Sequence, residues 1–232
     1  MTLAIKPPLP PMEARSVDEI PIGDEWQYEP KWDGFRCIVF RDRAEIYLQS
    51  KGGQPLARYF PDIVEEIAKL PSRNFVLDGE LVVPVGGALS FDELQLRLHP
   101  AASRVQKLAK AHPAILIIFD SLAQDRQSHL KQPLYDRRKL LEKFAHTNLK
   151  PKSAIRLSPV STKLATARKW LDKVGRGSRR RDCKATRRGI RIRRAHRHGE
   201  GKTNPQRRLR GWWVSLCERR ACHRFAFARA LR

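Results

Sequence analysis

The chain has 232 residues, enough for one large domain or two small ones, and 41% of them are apolar, so a core can form. No apolar run reaches the roughly 18 residues of a membrane-spanning helix, and no signal-peptide stretch opens the chain, so a cytoplasmic protein is expected. The net charge of +23 is a nucleic-acid-binding signature, but it is unevenly spread: residues 176–232 hold 20 Lys+Arg against 3 Asp+Glu, and residues 1–175 hold 27 against 21. Cys37, Cys183, Cys217 and Cys222 follow no zinc spacing, and a cytosolic chain needs no disulfide framework.

The segment from Lys6 to Met12 is proline-rich and reads as extended. Then comes Tyr28-Glu29-Pro30-Lys31-Trp32-Asp33-Gly34-Phe35-Arg36. A protonated lysine is a poor nucleophile, and at its ordinary pKa only about one in a thousand is neutral near pH 7.4. Apolar or cationic surroundings ease its proton off and make it a covalent catalyst. Lys31 stands just before the strand-like run Phe35 to Phe40, and Gly34 is expected to let the backbone approach a ligand. A second strand is expected from Ala44 to Leu48, and Ser50-Lys51-Gly52-Gly53 reads as a turn.

Phe60, Ile63, Val64, Ile67 and Leu70 recur at helical spacing and predict a scaffold helix over 60–70. Residues 75–83 form an apolar strand interrupted by Asp78-Gly79-Glu80. Two carboxylates there are costly unless they meet a cation or hydrogen-bond donors. Ser90, with Glu93 three residues on, predicts a helix over 90–98, and a further helix is expected over about 101–110. A buried strand follows over 114–119, ending at Phe119-Asp120. A helix is expected over 131–146, and another over 161–173 with Ser161 as cap and Ala165, Trp170 and Leu171 inward.

The string around Lys31 resembles the Lys-x-Asp-Gly motif of the covalent nucleotidyltransferases, which include ATP-dependent DNA ligases, RNA ligases and mRNA-capping enzymes. It looks most like the short bacterial ATP-dependent DNA ligases of end-joining and repair, and the likeness runs from residue 7 to about 174. The resemblance implies an α/β (α+β) fold of antiparallel sheets flanked by helices, the ATP-grasp-like adenylation domain. By match, Lys31 is the catalytic nucleophile. Glu29 reads the adenine end, Arg36 the nucleotide or nick phosphate, Lys51 the basic turn position, and Phe119 stacks on adenine. Glu80 stands at the metal and ribose end and is the candidate metal ligand. The implied cofactors are ATP and Mg²⁺ (or Mn²⁺). The implied partners are nicked double-stranded DNA and end-joining proteins, with a monomer in the bacterial cytoplasm near the nucleoid. The Leu134-Tyr135-Asp136-Arg137-Arg138 run matches a structural helix of the family.

After Val174-Gly175 the pattern breaks. A ligase next carries a strand like Asp-Gly-Val-Ile-Ala-Lys and a Lys-x-Lys strand. This chain instead turns arginine-rich, with 18 Arg to 2 Lys over residues 176–232. Codons for residues 177–187, read from the second base, permit Gly-Leu-Asp-Gly-Val-Ile-Ala-Lys-Arg-Leu. Those for His198 to Lys202 permit Met-Val-Lys-Val-Lys, and Trp212-Trp213 becomes Gly-Gly. The expectation is an incomplete adenylation domain over 1–174. Residues 175–232 are then an irregular, out-of-frame tail standing where the last motifs and an OB-fold domain belong. DNA sealing by such a chain is impaired. Two other readings stay open here: an RNA ligase or capping-type enzyme sharing Lys-x-Asp-Gly, and a non-enzymatic basic nucleic-acid-binding protein.

Overall fold

The structure is a computed structural model that describes residues 3–13, 15–16, 20–24 and 26–177, with short strands at Arg191–Ile192, Trp213–Leu216 and Ala226–Arg229. Two compact units divide the chain. One comprises Met1–Pro11 with Asp33–Ser158, the other Met12–Trp32 with Pro159–Arg232.

The first unit is built on a six-stranded sheet. Its strands run in the order Glu45–Ser50, Phe35–Asp42, Asn74–Val82, Ile115–Gln124 and Gln127–Ser128, each antiparallel to its neighbour. The short strand Ile155–Leu157 pairs with Ile115–Gln124 in parallel. The first hairpin turns at Arg43, in the left-handed region at φ 57°. Alternation then sorts the side chains onto two faces. Cys37, Val39, Phe75, Leu77, Leu81, Leu116 and Ile118 join the main core. That core takes Ile63 and Ile67 from the helix Pro61–Ala68, Leu94 from Phe91–Leu96, and Leu141 and Phe144 from Leu134–Asn148. Each such apolar side chain contributes about 1.5–3 kcal/mol on burial.

Arg41 lies buried in this unit as a C-terminal clamp. Its guanidinium donates to the carbonyls of Arg43, Ile67, Ala68, Leu70 and Ser72, satisfying the orphan acceptors where Pro61–Ala68 ends. Asp62 at the other end of that helix receives the buried Arg97 and the backbone N–H of Ala114.

The opposite sheet face is half apolar. Ile38, Phe40, Val76 and Leu122 pack there against Leu3, Ile5 and Leu9 of the N-terminal segment. Gln49 holds that segment at both backbone groups of Leu9: its Nε2 donates to the carbonyl at 2.6 Å and its Oε1 accepts the N–H at 2.8 Å.

In the second unit the helix Leu164–Gly177 packs Ala167 against Tyr28, with Leu164, Trp170 and Leu171 around them. Tyr28 and Ser161 exchange backbone bonds of 2.8 and 2.9 Å, and the Tyr28 hydroxyl donates to the Pro21 carbonyl at 2.7 Å. Strand Ala226–Arg229 pairs with Trp213–Leu216 and Arg191–Ile192 antiparallel and with Arg15–Ser16 in parallel.

Ser90 caps its helix by accepting the Glu93 N–H, as its spacing predicts. Three expectations need correction. The strand expected to stop at residue 119 continues to Gln124, because Ser121 and Asp120 find partners inside the unit. The last helix begins at Leu164, since Ser161 is held in its bridge to Tyr28, so Ser161 caps no helix and instead accepts the Lys163 N–H. Ala165 faces outward and Ala167 inward. The expected irregularity of residues 175–232 falls largely outside the described residues.

Candidate active site

Period-two alternation puts Arg36, Asp78 and Glu80 on the sheet face away from the main core. Arg36 is the register partner of Glu80, and Asp78 lies two residues back along the same strand. The Arg36 fork reaches that carboxylate. Nε donates to Oδ1 at 2.5 Å and Nη2 to Oδ2 at 2.6 Å, a bidentate pair in which the arginine side chain is 20% exposed and the aspartate 3%. Burial pulls the guanidinium down, but Asp78, Glu80 and Asp120 together outweigh it and hold Arg36 above the ordinary arginine range. The cation demanded by a carboxylate in an apolar strand is therefore, for Asp78, a protein side chain.

Phe119 reaches the same face through a bulge. Asp78 pairs with Asp120 and Gly79 with Ile118, so Phe119 is the extra residue. The break in alternation lets Phe119 and Asp120 both serve this face. The Arg36 guanidinium lies 4.5 Å from the Phe119 ring centroid, and the ring joins neither of the unit's apolar clusters. Asp120 is buried and takes a second bidentate fork: Arg137 Nε donates to Oδ1 at 2.8 Å and Nη2 to Oδ2 at 2.6 Å. Sequence reasoning gave Arg137 a structural part and left Asp120 unassigned. An aspartate in the middle of an apolar strand was the available signal.

Gly34 lies close against the next strand. A Cβ there would stand 2.1 Å from the Leu81 carbonyl oxygen. The Gly34 N–H donates to Glu80 Oε1 at 3.1 Å, which ties the Lys-x-Asp-Gly loop to the Asp-Gly-Glu strand. Gly79 is equally confined, its Cβ position 2.7 Å from the Ile117 carbonyl oxygen.

Lys51 is exposed on the turn that follows Ser50, the register partner of Cys37, and so stands at the Arg36–Glu80 end of the sheet. The turn closes with Gly53 at φ 83° donating to the Ser50 carbonyl. Glu29 and Lys31 belong to the second unit and are both buried. There Gln27 Nε2 donates to Glu29 Oε1 at 2.9 Å. Cys37 is fully buried, and that burial pushes its thiol well above the ordinary range, so it is no nucleophile.

Among the described residues no three His, Cys, Asp or Glu side chains gather to hold a metal ion. A single carboxylate such as Glu80 fits an ion that draws its other ligands from phosphate and water, as Mg²⁺ does with nucleotides. No helix among them is long and apolar enough to cross a membrane.

Within the first unit, then, Glu80 at a sheet end and Phe119 beside Arg36 lie on one face of an antiparallel sheet. Residues 11–177 match the family described as ATP dependent DNA ligase domain, and the chain belongs to that family. It is 47% identical over 171 residues to DNA ligase C2 of Mycolicibacterium smegmatis, covering 73% of this chain and 47% of that protein. It is 33% identical over 132 residues to the bifunctional non-homologous end joining protein LigD of Bacillus subtilis, covering 53% of this chain and 21% of that one. A solved mycobacterial DNA ligase D complexed with ATP and MES aligns at a TM-score of 0.47 and 27% identity, over 62% of this chain and 45% of that chain. The chain spans about half the length of DNA ligase C2.

Proposed function

We propose that residues 1–174 are the greater part of an adenylation domain of an ATP-dependent DNA ligase, with Lys31 as the nucleophile. The observation that carries this is the family match over residues 11–177, which includes Lys31-x-Asp33-Gly34 and the Asp78-Gly79-Glu80 strand bonded to it through Gly34. In the first step Lys31 Nζ, having given up its proton, forms a bond to the α-phosphorus of ATP. The bond from that phosphorus to the bridging oxygen breaks, and pyrophosphate leaves with the electron pair. AMP then passes from Lys31 to the 5′-phosphate of a nick, and the 3′-hydroxyl displaces it to seal the strand.

Each residue has a part. Phe119 stacks on the adenine, and Glu29 reads its edge. Arg36 and Lys51 meet phosphate charge. Glu80 would hold a divalent ion such as Mg²⁺, which when bound neutralises phosphate charge. The substrate is nicked duplex DNA, and end-joining proteins are partners of the same kind of repair, as the name of the Bacillus relative suggests.

Downstream, the arginine-rich stretch is the product of a single-base frame change near residues 174–177. Three motif-like strings in one shifted frame, in family order, support this. The chain as written therefore lacks the lysines that hold the ATP phosphates, and it seals no nick.

The test uses ATP labelled on the α-phosphate. With one base removed at the junction, the expressed protein should retain label, lose it in Lys31→Ala, and accept ATP over GTP. Label that survives Lys31→Ala would overturn the assignment. A preference for GTP would favour a capping-type enzyme.

A further inference from the structure

The four charged groups Arg36, Asp78, Asp120 and Arg137 alternate across three adjacent strands and one helix. Asp78 and Asp120 are direct register partners, and both are buried. Two such carboxylates side by side repel strongly, and the repulsion is answered only if each has its own cation. Arg36 serves Asp78. Arg137 serves Asp120 and adds a third bond to the Gln132 carbonyl at 2.9 Å. Arg137 is 1% exposed and comes from the helix Leu134–Asn148, so it meets no ligand itself.

We infer that Arg137, acting through Asp120, sets where the Arg36 guanidinium stands. With the Asp120 charge answered by Arg137 from behind, Asp78 is free to hold Arg36 through its two bonds, and the guanidinium rests over the Phe119 ring. The same fork pins Asp120, the residue directly after the Phe119 bulge, and so fixes the aromatic from its C-terminal side. Without Arg137 two buried carboxylates compete for one partly exposed arginine. Arg137 is thus a positioning residue for the arginine–aromatic pair. That this pair receives a nucleotide rests on the function proposed above; the hold on Arg36 does not.

The experiment is nuclear magnetic resonance of the full chain labelled with ¹⁵N-arginine, with the Arg36 Nε–H signal assigned by its loss in Arg36→Lys. Arg137→Gln should shift that signal and speed its exchange with water by about tenfold or more. The paired change Asp120→Asn with Arg137→Gln removes both charges and should return exchange to within about threefold of the parent. If Arg137→Gln does not fold, Arg137→Lys keeps the charge but loses the fork and should move the Arg36 signal while speeding its exchange by less than about tenfold, and an unmoved signal in folded Arg137→Lys overturns the inference. An unmoved Arg36 signal in folded Arg137→Gln overturns the inference, and so does a signal displaced as far in the paired variant. Titration of the same samples with ATP should weaken in Arg137→Gln and recover in the pair. A parent chain that binds no ATP while its Arg36 signal responds as described supports the positioning role and counts against the nucleotide reading.

Discussion

Arg36 and Asp78 face each other fork to fork from adjacent strands, with both bonds at 2.6 Å or less. Asp78→Asn removes the charge and half of the acceptor geometry, but Arg36 keeps some solvent. The loss should be about 1–3 kcal/mol, read as a lower urea midpoint with an unchanged slope. Retention of the parent midpoint would show that the pair adds nothing to the fold.

Arg41 lies on the same strand as Arg36 and has an unrelated role. Its guanidinium meets five backbone carbonyls around the end of Pro61–Ala68. Arg41→Met leaves those acceptors short of donors and should cost about 3 kcal/mol or more. A melting temperature equal to the parent's would mean that water replaces the guanidinium without loss.

The Ser90 cap is a milder test. Its hydroxyl accepts the Glu93 N–H at 3.2 Å, and Ser90→Ala should lower stability by about 1 kcal/mol. Ser90→Asp should recover most of it, because a carboxylate accepts the same bond and suits the helix N-terminus. An aspartate variant as unstable as the alanine one would contradict the capping role.

His129 supplies the pH dependence. It is buried beside Ser121, and burial holds its pKa below the ordinary 6.5. The unfolded chain then binds the proton more readily than the folded one. Stability is complete above about pH 6.5 and falls as the pH drops from there to the folded pKa, below which this contribution is constant. Urea midpoints measured from about pH 8 to about pH 5 should decline less in His129→Gln than in the parent. Parallel curves would assign the acid sensitivity elsewhere.

Local pattern made much of this legible. The helical spacing of Ile63 and Ile67, the Ser90–Glu93 cap and the alternation around Asp78 are written within a few residues of each other, and the fold follows them. What stayed hidden depends on partners far along the chain. Phe119 turns toward Arg36 through a bulge whose register is set by Asn74–Val82. Arg41 looks like a surface cation until the end of Pro61–Ala68 is laid over it. The steric constraint on Gly34 comes from Leu81, remote in sequence. Asp120 stands out locally as an aspartate in an apolar strand, but its partner Arg137 on a later helix is named only by the tertiary pairing.

The most direct test compares two proteins from one gene on a singly nicked DNA duplex with ATP and Mg²⁺. One is the chain as written; the other carries a single-base removal at codons 174–177. The frame-restored protein should seal the nick, Lys31→Ala should abolish sealing, and the chain as written should not seal. Sealing by the chain as written would contradict the account. So would a frame-restored protein that folds and neither takes up AMP nor joins the strand.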